Sequence, residues 1–254
     1  MYEGMIAETV TVTGDCGDQI EAYFARPTGS GPHPGVLVIH HMPGWDQGCK
    51  EITRKIAAQG YAAIMPNLHH RMGPGTAAEM SQRVRESGGV PDSQFLGDAR
   101  GAIQYLLAQP YSSGKVGIIG FCSGGRQVYI AACNIEELDA AVDCWGGRVV
   151  MAPEDLTEAN PVSPLDMTPN MSCPLLGLFG EDDANPDPAQ VATIEAALKE
   201  HGKTYEFHSY AGAGHAFFSV DRPAYRVEAA IDGWNKTFAW FEKYLGEPTA
   251  KALG

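Results

Sequence analysis

A glycine-rich turn near the middle of the chain constrains its fold most strongly. Residues 115–120 are free of charged side chains after Lys115, and they lead directly into Gly-Phe-Cys-Ser-Gly at residues 120–124 and then into a segment of helical composition. Such apolar runs are typical of strands covered on both faces. A Gly-X-Cys-X-Gly turn between a buried strand and a helix strains its middle residue and exposes it above the sheet. We therefore predict that Cys122 is a nucleophile on a sharp strand–helix turn.

A phosphate-binding loop and a purely structural turn are the alternatives for this segment. A glycine-rich loop that enters a helix can cradle a phosphate, but the patterns GxxxxGK[ST] and GxGxxG are absent. A structural turn, in which Cys122 is incidental, stays open at this point. The position of Cys122 at a helix N-terminus favours the nucleophile, because the positive end of the helix dipole stabilises a thiolate.

The rest of the chain alternates between strand-like and helix-like segments. Residues 9–13 and 20–25 alternate around Gly-Asp-Cys-Gly-Asp and predict a hairpin. Further strands are predicted at 35–40, 61–65, 115–120, 140–144, 175–180 and 205–210, and helices at 48–59, 94–108, 123–132, 188–201 and 222–245. The alternation implies a mainly parallel central sheet with helices on both faces. Together with the turn, it predicts an α/β-hydrolase fold.

The predicted organisation is a single domain over residues 1–254. No linker interrupts the alternating pattern. Residues 146–172 are irregular and rich in Pro, Met, Asp and Asn, so we expect an excursion that serves as a lid or as a subunit contact.

Charge and cysteine usage restrict the partners and the compartment. The formal net charge of −13 argues against nucleic acid and anionic membranes, because both bind basic surfaces. No apolar run reaches the length of a membrane span, and the first residues do not resemble a secretory signal. Six cysteines without a CxxC pair indicate reduced thiols. We expect a cytoplasmic location.

A nucleophile on such a turn needs a base and an orienting acid, in the chain order nucleophile, acid, histidine. His215 lies in a Gly-Ala-Gly-His loop after the last predicted strand, where this fold delivers its base. The acid should follow the preceding strand, within Gly-Glu-Asp-Asp. Asp183 is favoured over Asp182, because the last residue of that block should face the histidine.

In these three blocks the sequence resembles the dienelactone hydrolase family, which uses a Cys-His-Asp triad. Further matching blocks are Gln-Gly-Tyr-Ala-Ala from residue 59, Pro-Asn-Leu from residue 66, and Arg71 before Pro-Gly-Thr. The matches span residues 20–245.

The resemblance implies a hydrolase that cleaves a small carboxylic ester or lactone through an acyl-thioester intermediate. The triad would be Cys122, His215 and Asp183, and the main-chain N–H groups of Met42 and Ser123 would hold the oxyanion. No cofactor is expected, and a homodimer is left open. The alternatives are a thioesterase, acyltransferase or peptidase on the same triad, or a non-catalytic thiol redox-sensing module.

Two departures from the family leave the substrate open. Relatives resembling this chain carry a glutamate in the oxyanion loop, where this sequence has His41. Dienelactone-active members use two arginines for the substrate carboxylate; Arg71 matches the first, but Ser219 stands at the second position. The predicted substrate-binding residues are His41, Arg71, Trp45 and Phe217, although core packing is an equal alternative for the aromatic rings.

The histidine pairs His40-His41 and His69-His70 raise a metal hypothesis. Zinc needs three or four convergent ligands, whereas the side chains of adjacent residues point apart. We therefore predict no metal and expect these histidines to line or support the pocket.

Overall fold

A single eight-stranded sheet runs through the computed structural model, which describes residues 4–246 and 248. Its spatial order is β1-β2-β4-β3-β5-β6-β7-β8. The pairs β1–β2 and β2–β4 are antiparallel and all other pairs are parallel. The strands are β1 (Met5–Thr13), β2 (Gln19–Pro27), β3 (His33–Ile39), β4 (Ala62–Pro66), β5 (Ser112–Phe121), β6 (Ala140–Cys144), β7 (Leu175–Gly180) and β8 (Tyr205–Tyr210).

Helices cover both faces of this sheet. They are α1 (Gln47–Ala58), α2 (Ala77–Glu86), α3 (Asp92–Leu107), α4 (Ser123–Asn134), α5 (Pro188–Glu200) and α6 (Val227–Leu245). Residues of α1 and α6 share one buried apolar cluster with the sheet, and residues of α3, α4 and α5 share the other. Every residue of β3, β6 and β7 is consequently buried. The architecture confirms the predicted α/β-hydrolase fold.

None of the helices among the described residues has the length and apolar character needed to cross a membrane.

Helix α2 is absent from the sequence-based prediction. A capping box starts it: the Thr76 hydroxyl accepts the Glu79 N–H, and the Glu79 carboxylate accepts the Thr76 N–H. Only Met80, Ser81 and Val84 are buried in it, so its apolar stripe is too narrow to be recognised from the pattern alone. The last helix also begins later than predicted, at Val227, because the preceding loop folds back and Arg226 donates its N–H to the Phe217 carbonyl.

The irregular segment 146–172 contains two short 3-10 helices, Pro153–Asp155 and Pro164–Asn170. Val149 and Met171 are buried in the cluster shared with α3, α4 and α5. The Tyr129 and Thr168 hydroxyls, 2.6 Å apart, tie the second 3-10 helix to α4. The buried part of the segment therefore belongs to the core, and a role as lid or subunit contact stays a prediction.

Arg71 joins three elements at one edge of the molecule. Its guanidinium makes two hydrogen bonds, of 2.8 and 3.0 Å, to the fully buried carboxylate of Asp98 on α3. It also donates to the Asp18 carboxylate at 2.7 Å and to the Asp15 carbonyl at 3.3 Å, both in the β1–β2 connection. The prediction that Arg71 binds a substrate carboxylate is not supported, because its guanidinium is already committed to the protein's own acids.

We predict that Arg71→Met lowers the free energy of unfolding by about 3 kcal/mol, because it leaves the buried Asp98 carboxylate without its charge partner. Urea denaturation measures this difference. Lys115→Met is the matched control: it removes an ion pair to Asp139 from a lysine side chain that is 52% exposed. Such surface pairs contribute about 0–1 kcal/mol.

Substrate affinity separates the two roles of Arg71. In Arg71→Met, the ratio of the KM for a negatively charged ester to the KM for a neutral ester should equal the ratio in the wild type. Wild-type stability combined with a KM raised only for the charged ester would instead restore Arg71 as a substrate ligand.

Candidate active site

Cys122 lies in the turn between β5 and α4, at the carboxyl edge of the parallel strands. Its backbone is strained, with φ 57° and ψ −117°. Glycines on both sides make the turn feasible. A Cβ at Gly120 would lie 2.2 Å from the Gly124 carbonyl oxygen, and one at Gly124 would lie 2.5 Å from the Ile39 carbonyl oxygen of β3. No residue larger than glycine therefore fits at Gly120 or Gly124 in the turn that holds the thiol.

The loops after the next strands deliver a histidine and an aspartate. His215 follows β8 and Asp183 follows β7, and the His215 Nδ1 lies 2.8 Å from the Asp183 Oδ2. Asp183 is buried, and its other oxygen accepts the Asn185 N–H at 2.9 Å, which fixes the carboxylate. Asp182 is exposed. Of the two candidate acids, the geometry therefore brings Asp183 to the histidine.

The Cys122 thiol and the His215 imidazole lie close enough to shift each other's pKa. Burial alone would raise the pKa of Cys122, but the hydrogen bond and charge of His215, with two main-chain N–H groups, lower the pKa overall. Burial alone would lower the pKa of His215, but hydrogen bonds to Asp183 and Cys122 raise it to about 10. These shifts favour a thiolate–imidazolium pair.

The two N–H groups that stabilise the sulfur belong to Ser123 and Met42. Ser123 is the first residue of α4, and Met42 lies in the loop after β3. The carbonyl of Met42 accepts the Ser81 hydroxyl of α2 at 2.7 Å. The two residues predicted to form the oxyanion hole therefore converge on Cys122 from different elements.

His41 and Trp45 lie in the loop that carries Met42. The His41 Nε2 is 2.7 Å from the Asp46 Oδ2, and the His41 side chain is 14% exposed. The Trp45 indole N–H donates to the Met65 carbonyl at 3.2 Å, and the Lys50 ammonium lies 3.8 Å from a Trp45 ring centroid. Both residues are partly buried, and their contact with substrate stays a prediction.

Phe217 belongs to the core. It is fully buried and packs against Trp145, with ring centroids 4.7 Å apart, and against Tyr210 and Phe218. Trp145 in turn makes an edge contact with the His215 ring at 6.4 Å. The prediction that Phe217 lines the substrate pocket is therefore wrong. Its ring supports the loop that carries the histidine.

Among residues 4–246 and 248, one group of three side chains has the spacing of a metal site. The ligand atoms of His41, Asp46 and Cys49 lie within 4.8 Å of one another. Hydrogen bonds account for this cluster, because Asp46 pairs with His41 and also caps α1 through the Cys49 N–H at 2.9 Å. Burial raises the pKa of the Cys49 thiol, which disfavours the thiolate that a metal would need.

Two histidines of the metal hypothesis contact each other, and the other two lie beside carboxylates. His40 and His69 are buried and in edge contact, with ring centroids 4.7 Å apart. The His70 Nδ1 is 3.7 Å from the Glu21 Oε2.

A buried acid that the sequence pattern did not single out lies beneath the turn. Asp143, on β6, is 1% exposed and accepts the Gly146 N–H at 2.7 Å. Burial raises its pKa to about 7. The sequence feature that distinguishes Asp143 is that it is the one carboxylate in the otherwise apolar strand Ala-Ala-Val-Asp-Cys.

Comparison with known proteins gives the family of the chain. The family model described as "Dienelactone hydrolase family" matches residues 20–245. A protein of Methylorubrum extorquens, inferred to be a carboxymethylenebutenolidase, is 35% identical and covers 95% of this chain and 82% of its own length. A Bradyrhizobium protein, inferred to be a 2-oxo-3-(5-oxofuran-2-ylidene)propanoate lactonase, is 31% identical over 95% of this chain and 98% of its own.

A solved structure gives the same result. The crystal structure of an inferred dienelactone hydrolase from Klebsiella pneumoniae superposes with a TM-score of 0.85 at 31% identity, covering 95% of this chain and 100% of the other. The chain is therefore a hydrolase that belongs to the dienelactone hydrolase family.

Proposed function

We propose that the protein hydrolyses a small carboxylic ester or lactone, with Cys122 as nucleophile, His215 as general base and acid, and Asp183 as the residue that orients the histidine. The observation that carries this proposal is that His215 and the N–H groups of Met42 and Ser123 surround the Cys122 sulfur, while Asp183 pairs with the His215 Nδ1 at 2.8 Å. A nucleophile that has both a hydrogen-bonded base and two main-chain donors beside it is equipped for acyl transfer.

The first half of the reaction forms a thioester. The Cys122 sulfur attacks the carbonyl carbon, and the negative charge that develops on the carbonyl oxygen is stabilised by the Met42 and Ser123 N–H groups. As the tetrahedral intermediate collapses, the carbon–oxygen bond of the ester breaks and protonated His215 gives its proton to the leaving alkoxide. Asp183 keeps the imidazole in the tautomer that this transfer needs, because it accepts the Nδ1 proton.

The second half releases the acid. His215 takes a proton from water, and the resulting hydroxide attacks the thioester carbonyl within the same pair of N–H donors. Breakage of the carbon–sulfur bond returns Cys122 as the thiolate beside protonated His215. For a lactone, the alcohol stays tethered to the acyl group throughout, so that one hydroxy acid leaves.

The substrate class is supported by the relatives and restricted by the site. The names of the Methylorubrum and Bradyrhizobium relatives both refer to cleavage of an unsaturated lactone. In this chain Arg71 is held by Asp98 and Asp18, and Ser219 stands where a second arginine would be expected. We therefore propose an ester or lactone hydrolase that does not depend on this arginine pair.

We predict that Cys122→Ala abolishes hydrolysis of p-nitrophenyl acetate and of lactones, because it removes the sulfur on which the thioester forms. Cys122→Ser should lose at least about tenfold in kcat, because a hydroxyl does not ionise beside His215 as the thiol does. Steady-state rates of the purified variants measure both effects.

Cys16→Ser is the matched control, since Cys16 is an exposed cysteine in the β1–β2 connection. It should retain wild-type kcat. Ester turnover that survives Cys122→Ala would refute the proposal. A panel of esters, lactones, thioesters and peptides separates the alternative acyl-transfer activities, and absence of turnover on all of them would favour the redox-sensing module.

A thiolate–imidazolium pair predicts that the Cys122 thiol reacts at pH values below the ordinary pKa of cysteine, about 8.5. Alkylation of Cys122 by iodoacetamide should remain fast at pH 7, because protonated His215 lowers the pKa of the thiol. His215→Ala should move the midpoint of the pH–rate profile upward, since burial then raises the pKa without an opposing charge.

A Cys16→Ser background makes this measurement specific. Cys122 is partly buried, whereas Cys49, Cys133, Cys144 and Cys173 are buried, so Cys122 is then the thiol accessible to the reagent. Identical profiles with and without His215, both near the ordinary thiol pKa, would contradict the ion pair.

A further inference from the structure

The Met42 N–H must be held in place by neighbouring groups, whereas the Ser123 N–H is held by its position in the chain. Ser123 directly follows the nucleophile and begins α4, so chain connectivity fixes its N–H relative to the sulfur. Met42 comes from a separate loop between β3 and α1. An oxyanion donor must be aimed before the charge develops, because its contribution lies in preorganisation. The His41–Met42 peptide therefore needs contacts that hold it in place.

The carbonyl of this peptide carries two hydrogen bonds. The His41 oxygen lies 2.9 Å from the His40 Nδ1 and also accepts the Gly44 N–H at 2.9 Å. In a trans peptide the C=O and N–H groups are coplanar and point in opposite directions. Any contact that fixes the direction of the His41 carbonyl therefore fixes the direction of the Met42 N–H.

The ring of His40 is held in the tautomer that this contact requires. Its Nε2 lies 3.2 Å from the Leu68 nitrogen and accepts that N–H. Nε2 therefore carries no proton, and the single proton of a neutral ring resides on Nδ1, where it is donated to the His41 carbonyl. Burial lowers the pKa of His40 to about 3, with a further contribution from His69, so the ring stays neutral at physiological pH.

The surroundings of His40 leave the ring little freedom. The side chain is 2% exposed, and the His69 ring packs edge-on against it. Gly44 lies close to His69, since a Cβ there would be 2.9 Å from the His69 Nδ1. His40 thus links the oxyanion loop to the loop after β4 through a ring with both nitrogens engaged.

We propose that His40 is a positioning residue for the hydrolysis: its Nδ1–H orients the His41–Met42 peptide so that the Met42 N–H faces the developing oxyanion. This inference rests on the proposed function. His40 itself contacts no reacting atom. Its effect should appear only in steps that build negative charge on a carbonyl oxygen.

His40→Ala should lower kcat for p-nitrophenyl acetate by about 10–10² fold. Complete loss of an oxyanion donor lowers kcat by roughly 10²–10³ fold. We expect a smaller loss here, because the Met42 N–H is misaligned rather than removed. His40→Asn should recover most of the loss, since its amide nitrogen takes the place of Nδ1. KM should change little in either variant, because the contact acts on the transition state.

Alkylation separates this role from a general loss of structure. Iodoacetamide reacts with a thiolate by displacement and builds no oxyanion, so its plateau rate at high pH should be unchanged by His40→Ala in the Cys16→Ser background. If the alanine variant does not fold, His40→Phe keeps a ring against His69 without either hydrogen bond and should show the same defect.

His33→Ala is the matched control. His33 is equally buried, at 1% exposure, and lies at the opposite end of β3 with its Nε2 3.1 Å from the Gly29 carbonyl oxygen. It should keep wild-type kcat.

Full turnover in His40→Ala, a parallel loss of alkylation and turnover, or an asparagine variant no better than alanine would overturn the role of His40. Failure of the proposed function is a different outcome, because the wild-type protein would then show no turnover that depends on Cys122.

Discussion

The close approach of β5, α4 and β3 around Cys122 determines the geometry of the whole site. Gly120 and Gly124 allow main-chain atoms to pass where a Cβ would collide with carbonyl oxygens at 2.2 and 2.5 Å. The strained turn that results places the sulfur at a helix N-terminus, beside the loop after β3 that supplies the Met42 N–H. The order of the strands then decides which loops face the sulfur, and the loops after β7 and β8 bring the acid and the base.

Charge at the site is arranged by burial and by specific hydrogen bonds in combination. His215 is beside Asp183 and Cys122, and its interactions with both raise its pKa despite burial. His40 is buried without a carboxylate partner, and its pKa falls. The pKa values of two histidines near Cys122 are therefore shifted in opposite directions, which suits one to the proposed proton transfer and the other to the proposed orientation of a peptide.

The parts of this site that sequence could predict are those encoded by local patterns. The turn at Cys122, the Gly-Ala-Gly-His loop and the Gly-Glu-Asp-Asp loop each combine a strand signal with glycine, so their positions follow from the fold. Local patterns do not show that the Phe217 ring is buried in the core or that the Arg71 guanidinium pairs with acids of the protein itself, because their partners lie far away in the sequence. Asp98 is 27 residues from Arg71, and the Trp145 ring against Phe217 comes from another strand end. Helix α2, which supplies Ser81 to the Met42 carbonyl, was missed because its buried stripe is narrow.

The proposed mechanism depends on Cys122 carrying the acyl group during turnover. The most direct measurement is intact-protein and peptide mass spectrometry of enzyme quenched in acid during turnover of a series of aryl acetates with increasingly good leaving groups. The proposed mechanism predicts one acetyl group on Cys122, removed by hydroxylamine. An acetyl group on another residue, or steady turnover across the whole series with Cys122 always recovered as a free thiol, would contradict it.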